Sequence, residues 1–250
     1  DENNFWNIDV NAIDGSLVSK YDQVLHCEFG TGKFLESQSS SHNHMYEGTP
    51  SIPQGANQDV SGPETGAYRV YPYTVESPIF GSRQLISNPD DAVASPFGWH
   101  DTNGAAGAEY TTTRGNNVNA YADKDANNAA DAGSAPDGGA GLNFDFALDF
   151  NSQLDTLINS KAIVTQLFYM NNIMHDIFTK YGFTESSRNF QSKNYSGATG
   201  GNDFVWAEAH DGSGTNNANF ATSPDGVNTA FSRTRMQMFM WDGAGPVTLT

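Results

Sequence analysis

The segment NSQLDTLINSKAIVTQLFYMNNIMHDIFTKYGF, residues 151–183, decides the fold because it carries the one convincing helical periodicity in the chain. At 100° per residue, its large apolar side chains fall on a single stripe, as an amphipathic or buried helix requires. The stripe consists of Ile163, Leu167, Met170, Met174, Ile177, Phe178 and Tyr181. The sequence therefore predicts one long helix over residues 152–181.

The two ends of this segment carry further signals. Gly182 favours the left-handed conformation that ends a helix, and Phe183 can then fold back on Phe178 in a Schellman arrangement. Near the start, Asn159 and Ser160 are both good N-cap residues, so the segment could also form two consecutive helices.

The N-terminal part of the chain divides into a hairpin and a linker. Residues 5–26 alternate in polarity around Asp14 and Gly15, which is a strong hairpin signal. From residue 30 to residue 67 the chain is rich in Ser, Gln, Gly, Asn and Pro. Such a stretch cannot bury enough apolar area to offset its ordering entropy, so we expect a flexible linker that proteases cut readily.

Short β-patterns lie before and after the predicted helix. Residues 68–75 are rich in aromatic and β-branched side chains, but Pro72 interrupts them, which is typical of an edge strand. Two further strands are predicted over residues 203–209 and 236–241. Turn-forming residues dominate between residue 75 and Gly141. Together these patterns predict an α+β fold, with irregular antiparallel β-structure and one long helix.

Composition excludes several classes of function. The 250 residues carry a formal net charge of −17, and only 16% are charged against a typical ~25%. So acidic a chain repels phosphate backbones and anionic lipid surfaces, so we expect no nucleic-acid partner and no membrane partner. No apolar run approaches the ~18 residues that a membrane span requires. The single cysteine, Cys27, excludes an intrachain disulfide framework and any site built from several cysteines.

Three histidines are candidates for metal ligands or catalytic groups. His42 and His44 have the spacing of a metal-binding pair on a strand, but they lie in the predicted linker, where surface histidines are the alternative. His175 lies on the predicted helix and is either a catalytic or ligand histidine, or a boundary residue satisfied by a neighbouring carboxylate or carbonyl. The chain lacks the motif His-Glu-x-x-His.

The acidic loop that begins at Asp123 also has two interpretations. Residues 123–127 match the first three ligand positions of a calcium loop, but Asn128 and Ser134 stand where an EF-hand needs Gly and Glu. The sequence excludes an EF-hand and leaves open a solvated acidic loop or a looser calcium site. The carboxylates of that looser site would be Asp123, Asp125 and Asp131.

Residues 215–222 form an uncharged run of small side chains. A short edge strand of this kind can hydrogen-bond an extended peptide through its backbone, and an Asn amide can both donate to and accept from peptide groups. An Asn-rich turn is the alternative interpretation.

Several of these motifs together resemble one family, the fungalysin-type secreted zinc metallopeptidases, which are relatives of thermolysin. These motifs occur along most of the chain, in the same order as in the family. The matching segments are 68–72, 77–83, 94–104 (ASPFGWHDTNG), 113–118 (TRGNNV), 168–183, 212–226 and 235–238.

The resemblance implies a division of the chain. Residues 1–29 would be the tail of a propeptide, 30–67 a processing linker and 68–241 the thermolysin-like N-terminal lobe of the peptidase. Residues 242–250 would begin the next segment or an inserted domain. The family's zinc-binding half would follow, so we expect the zinc ligands outside this chain, the isolated chain to be inactive, and calcium as a further candidate ligand.

The resemblance also implies site residues and a location. Asn217 and Ala218 match the family's substrate-binding edge strand, where Asn217 would bond a peptide or protein substrate through its side chain and Ala218 through its main chain. Cys27 could act as a zymogen latch on zinc, or be a thiol without a role. The complete protein would be a secreted, extracellular endopeptidase. The alternatives are a non-catalytic secreted binding module built on the same lobe, and a calcium-stabilised structural domain.

Overall fold

The computed structural model describes residues 6–10, 16–22, 66–75, 78–152, 157–230 and 232–240. The chain divides into two compact units, Asp1–Ala56 and Asn57–Thr250. Cys27, His42, His44, residues 242–250 and all but the end of the predicted linker lie outside the described residues.

A β-hairpin is the described part of the first unit. Strand β1 (Trp6–Val10) pairs antiparallel with β2 (Leu17–Asp22), with an irregularity in the register between Asp9 and Val10. This confirms the hairpin that the sequence predicts. Its assignment to a propeptide stays a prediction.

One helix, α1 (Leu157–Lys180), organises the second unit. It runs without a break through Asn159 and Ser160, so the alternative of two helices is wrong. The Asn159 side chain instead accepts a hydrogen bond from the Asp149 backbone N–H at 2.7 Å and donates one to its carbonyl at 2.9 Å. Asn159 therefore holds the preceding turn against the helix rather than starting a new one.

The helix ends as predicted. Gly182 has φ 99°, its N–H donates to the Thr179 carbonyl at 3.1 Å, and the Phe183 N–H donates to the Phe178 carbonyl at 2.9 Å. These two bonds define a Schellman motif.

The most buried face of α1 is not its apolar stripe. Val164, Thr165, Phe168 and Asn172 are fully buried, on a face centred roughly 145° from the stripe at 100° per residue. The stripe residues are only half-buried at best, and Tyr181 is 74% exposed. The helix therefore buries one face fully in this unit's core, while the stripe meets the core only in part, through Ile163, Leu167 and Met170.

The larger sheet has four strands in the order β5-β7-β9-β8. Strands β5 (Val118–Ala122), β7 (Val205–Thr215) and β9 (Arg235–Met240) are parallel, while β8 (Ala218–Ala221) pairs antiparallel with β9. The α+β class is confirmed, but the expectation of antiparallel pairing is wrong for these three strands. Parallel neighbours need a crossover connection, and α1 lies in the connection between β5 and β7.

The smaller sheet has three strands in the order β4-β3-β6. Strand β3 (Ala67–Val70) is central, between antiparallel β4 (Gln84–Ser87) and parallel β6 (Asn143–Phe144). The prediction of an edge strand at residues 68–75 is therefore wrong. Pro72 lies beyond the end of β3, so its missing N–H interrupts no ladder.

An aromatic cluster lies between the smaller sheet and α1. The Tyr68 ring stacks on that of Phe144 at a centroid distance of 5.2 Å and lies 5.4 Å from that of Trp99. Phe168 on α1 meets both Tyr68 and Trp99, at 6.0 and 6.2 Å. Because these side chains are almost fully buried, the cluster fixes α1 against β3.

Candidate functional site

Strand β8 forms one edge of the larger sheet. It pairs with β9 on one side, with Ala218 opposite Met238 and Ala221 opposite Arg235. Within the described residues no strand pairs with its other side, and all four of its residues are exposed. The short edge strand predicted within residues 215–222 is therefore confirmed.

The turn before β8 is made by two asparagines. Asn216 has φ 56°, a left-handed conformation that Asn tolerates better than most residues, and its N–H donates to the Met240 carbonyl at 2.8 Å. Asn217 follows, and its backbone carbonyl accepts from the Phe239 N–H at 3.2 Å. These bonds fix the turn at the end of β9. At this turn the chain crosses from β7, on one side of β9, to β8, on the other side.

Asn217 and Ala218, the two residues predicted to contact substrate, lie together and exposed at the start of this edge. Oδ1 of Asn217 accepts a hydrogen bond from the Ala218 N–H at 2.8 Å. The acceptor of the amide is thus used locally, which orients its NH₂ group as the donor available to a further partner.

Two apolar cavities lie along the stripe of α1. One, of about 520 Å³, adjoins β8 and is lined by Met174, Phe178, Phe183, Phe190, Phe220 and Met236 among others. The second, of about 470 Å³, is lined by Ile163, Leu167, Met170, Met238 and Phe239 among others. The sequence analysis does not predict a role for Phe220 on the edge strand β8 or for the methionines of the neighbouring strand β9, although an exposed apolar side chain on an edge is a usable signal.

His175 has the partners of a boundary histidine. Its Nδ1 lies 2.9 Å from the Asp176 carboxylate, and its Nε2 lies 3.2 Å from Nδ2 of Asn189. Asp176 also accepts from the Trp99 indole N–H at 2.9 Å. The structure therefore supports the interpretation of His175 as a residue satisfied by a neighbouring carboxylate.

Two groups of carboxylates could hold a metal ion. Asp123, Asp125 and Asp131 come together as the sequence suggested, with one oxygen of each within 4.8 Å of the others. The second group shares Asp123 and adds Glu208 and Asp211, which sequence reasoning missed. In the described part of the chain neither group contains histidine or cysteine, whereas zinc sites are built mainly from these side chains. These residues do not fit the catalytic zinc that the family implies, and a zinc site outside this chain stays a prediction.

No helix in the described ranges is long and apolar enough to cross a membrane.

Comparison with known proteins assigns the family. The model of the fungalysin metallopeptidases (M36) matches residues 67–248. Extracellular metalloproteinase 2 of Phaeosphaeria nodorum is 39% identical over 183 residues, covering 72% of this chain and 27% of its own. Extracellular metalloproteinase 5 of Trichophyton tonsurans is 41% identical over 179 residues, covering 72% and 28%.

The chain spans just over a quarter of the length of these relatives. The extracellular location expected from the resemblance agrees with their names, and the resemblance itself is confirmed. The chain belongs to the fungalysin (M36) metallopeptidase family.

Proposed function

We propose that this chain is the N-terminal, substrate-aligning part of a secreted zinc metalloendopeptidase, and that the free side of β8 binds the substrate as an added strand. The observation that carries the proposal is the exposed edge at Asn217 and Ala218 in a chain of this family.

The register of β8 supports this role. Main-chain groups of successive strand residues point alternately to the two sides of the strand. The Asn217 carbonyl accepts from Phe239 on β9. The carbonyl of Ala218 therefore faces the open side of β8, and the backbone groups of Phe220 face the same side. An extended peptide beside β8 would donate an N–H to the Ala218 carbonyl and accept from the Asn217 side-chain amide.

The apolar stripe of α1 supports a second part of the proposal. Ile163, Leu167, Met170 and Met174 line the two cavities, although the first three also pack in part against the core. An apolar surface of this kind marks an interaction site. We assign it to the C-terminal, zinc-binding half of the same precursor, which would also complete the peptide-binding cleft next to β8.

The test of substrate alignment uses the full-length enzyme and the substitution Asn217→Ala. We expect kcat/KM for a peptide to fall by about tenfold or more, because one neutral hydrogen bond stabilises by only ~0.5–1.5 kcal/mol but positioning errors grow in the transition state. The matched control is Asn143→Ala, an exposed asparagine of β6 in the smaller sheet. Unchanged kcat/KM in Asn217→Ala, with normal folding, would remove the assignment.

A second experiment separates an enzyme part from a complete binding module. The isolated 250-residue chain, supplied with zinc, should hydrolyse no peptide and retain no stoichiometric zinc after dialysis. Adding the C-terminal half as a separate chain should restore hydrolysis. If the isolated chain itself binds zinc tightly or cleaves peptides, the proposal that the C-terminal half supplies the zinc site is wrong.

A further inference from the structure

Three carboxylates without solvent contact meet where β5 ends and β7 bends. Asp123 directly follows β5, while Glu208 and Asp211 belong to β7, and each of the three residues is 0% exposed. One oxygen from each lies within 4.8 Å of the others. The pairing of β7 with β9 is irregular between Ala209 and Asp211, which brings Asp211 to the same place as Glu208.

Two of these carboxylates are held in place by donors. Asp123 accepts from the backbone N–H groups of Asn127 and Asn128 at 3.0 and 2.8 Å. Asp211 accepts from the Ser213 N–H at 2.7 Å and from the side-chain amide of Gln237. Both carboxylates are therefore held in position by donors from the protein.

Glu208 is only partly satisfied. Its Oε1 accepts from the Tyr121 hydroxyl at 2.8 Å, but its buried Oε2 has no hydrogen-bond partner among the described residues. The nearest cation to Oε2, Nε of Arg235, is 3.7 Å away, and Arg233 is 3.5 Å from Oε1. Both arginines make their closest contacts with Asn128 instead. A buried carboxylate oxygen without a donor is costly, so this atom requires a positive partner or a proton.

Burial raises the pKa of Glu208 to about 7, and the adjacent Asp211 carboxyl acts in the same direction against the Tyr121 hydroxyl and the two arginines. Burial likewise raises the pKa of Asp123, although its two backbone donors oppose the change. Among the described residues, the nearest positive charges to the three carboxylates are Arg233 and Arg235, at 3.5 and 3.7 Å from Glu208, beyond hydrogen-bond distance of Oε2.

We propose that Asp123, Glu208 and Asp211 bind a calcium ion that links the end of β5 to the bend of β7. The ligands are all oxygens, which hard cations prefer. Calcium takes six to eight oxygens at ~2.3–2.6 Å, so two ligands of one ion lie up to ~5 Å apart. The three carboxylate oxygens lie within 4.8 Å of one another, which fits this range. These three carboxylates include neither Asn217 nor Ala218, so the inference does not depend on the proposed function.

The adjoining group of Asp123, Asp125 and Asp131 carries no such proposal. Asp125 is exposed, and its two carboxylate oxygens accept from the backbone and side chain of Asn127. Asp131 accepts from the Lys124 N–H at 3.0 Å. With these donors the loop is satisfied without an ion, which makes Asp125 a suitable control position.

The experiment is a terbium titration of the complete 250-residue chain after removal of metal. Tyr121 contacts Glu208, and the Trp206 ring centroid lies 6.0 Å from that of Tyr121, so excitation of these rings reports an ion bound beside them. We expect saturable sensitised emission that calcium competes away. Glu208→Gln and Asp211→Asn should each weaken binding by about tenfold or more, while Asp125→Asn should change it by less than about threefold.

Three outcomes would overturn the proposal. The first is that Asp125→Asn abolishes binding while the other two variants keep it, which would place the ion on the exposed loop. The second is unchanged binding in all three variants. The third, which needs no variant, is the absence of saturable calcium binding by calorimetry up to ~10 mM, above the 10⁻⁴–10⁻³ M range of extracellular calcium modules. Water alone would then occupy the space beside Oε2.

Discussion

The hydroxyl of Tyr68 on β3 lies 2.8 Å from Nε2 of His100, and Nδ1 of the same ring lies 3.0 Å from the Arg114 carbonyl oxygen. Both contacts suit a neutral imidazole that donates from Nδ1 and accepts at Nε2. Burial lowers the pKa of His100 to about 4, although its backbone hydrogen bonds oppose the shift. The folded protein therefore holds His100 in its neutral form.

This histidine should make stability depend on pH. Because the folded pKa lies below the unfolded value of 6.5, the stabilisation is complete above pH 6.5 and is lost as the pH falls towards 4. We expect the free energy of unfolding to vary less with pH over this range in His100→Gln than in the original chain. Urea titrations at several pH values measure both slopes, and equal slopes would show that His100 is not the group responsible.

Asp176, the one acidic residue of α1, should be costly to remove. It accepts from Ser95 Oγ at 2.7 Å, the Trp99 indole at 2.9 Å and the Asp91 N–H at 3.0 Å. Asp176→Ala leaves these donors without an acceptor, so we expect a loss of about 2–4 kcal/mol in the free energy of unfolding.

The control for Asp176 is Asp145→Ala. Asp145 pairs with Arg69 at 2.8 Å, but both side chains are more than a third exposed, so the loss should stay below about 1 kcal/mol. Chemical denaturation measures both variants. A loss at Asp145 equal to that at Asp176 would contradict the ranking.

The two faces of α1 should respond differently to truncation in the isolated chain. Phe168→Ala removes a fully buried ring, and we expect a loss of about 3–5 kcal/mol. Met174→Ala shortens a half-buried side chain on the stripe, and the loss should be below about 1.5 kcal/mol. Thermal or urea unfolding of both proteins gives the comparison, and similar losses would mean that the stripe belongs to this unit's own core.

Local features were predictable from the sequence because they depend on neighbouring residues. The hairpin around Asp14 and Gly15, the Schellman end at Gly182 and the strand near residues 236–241 all follow from short-range rules. The edge strand at Asn217 and Ala218 was indicated by composition, and only the family resemblance gave it a role.

Features that depend on distant parts of the chain were not predictable in this way. Periodicity locates the stripe of α1 but contains no information on which face a sheet covers. Glu208 was missed because its partners are Tyr121, beside it in the parallel register of β5 and β7, and Asp123. The crossover that makes those strands parallel separates them widely in sequence, so no motif could show the three carboxylates together.

The orientation of α1 determines which substitutions on this helix the chain should tolerate. One face of the helix is fully buried in the core, while its apolar stripe lines two cavities and packs only in part against that core. Substitutions on its outer face should leave this chain folded and soluble yet prevent a complementary half from docking. Polar replacements at Met174 or Phe178, which line a cavity without packing against the core cluster, should thus reduce the self-association that an uncovered apolar stripe promotes.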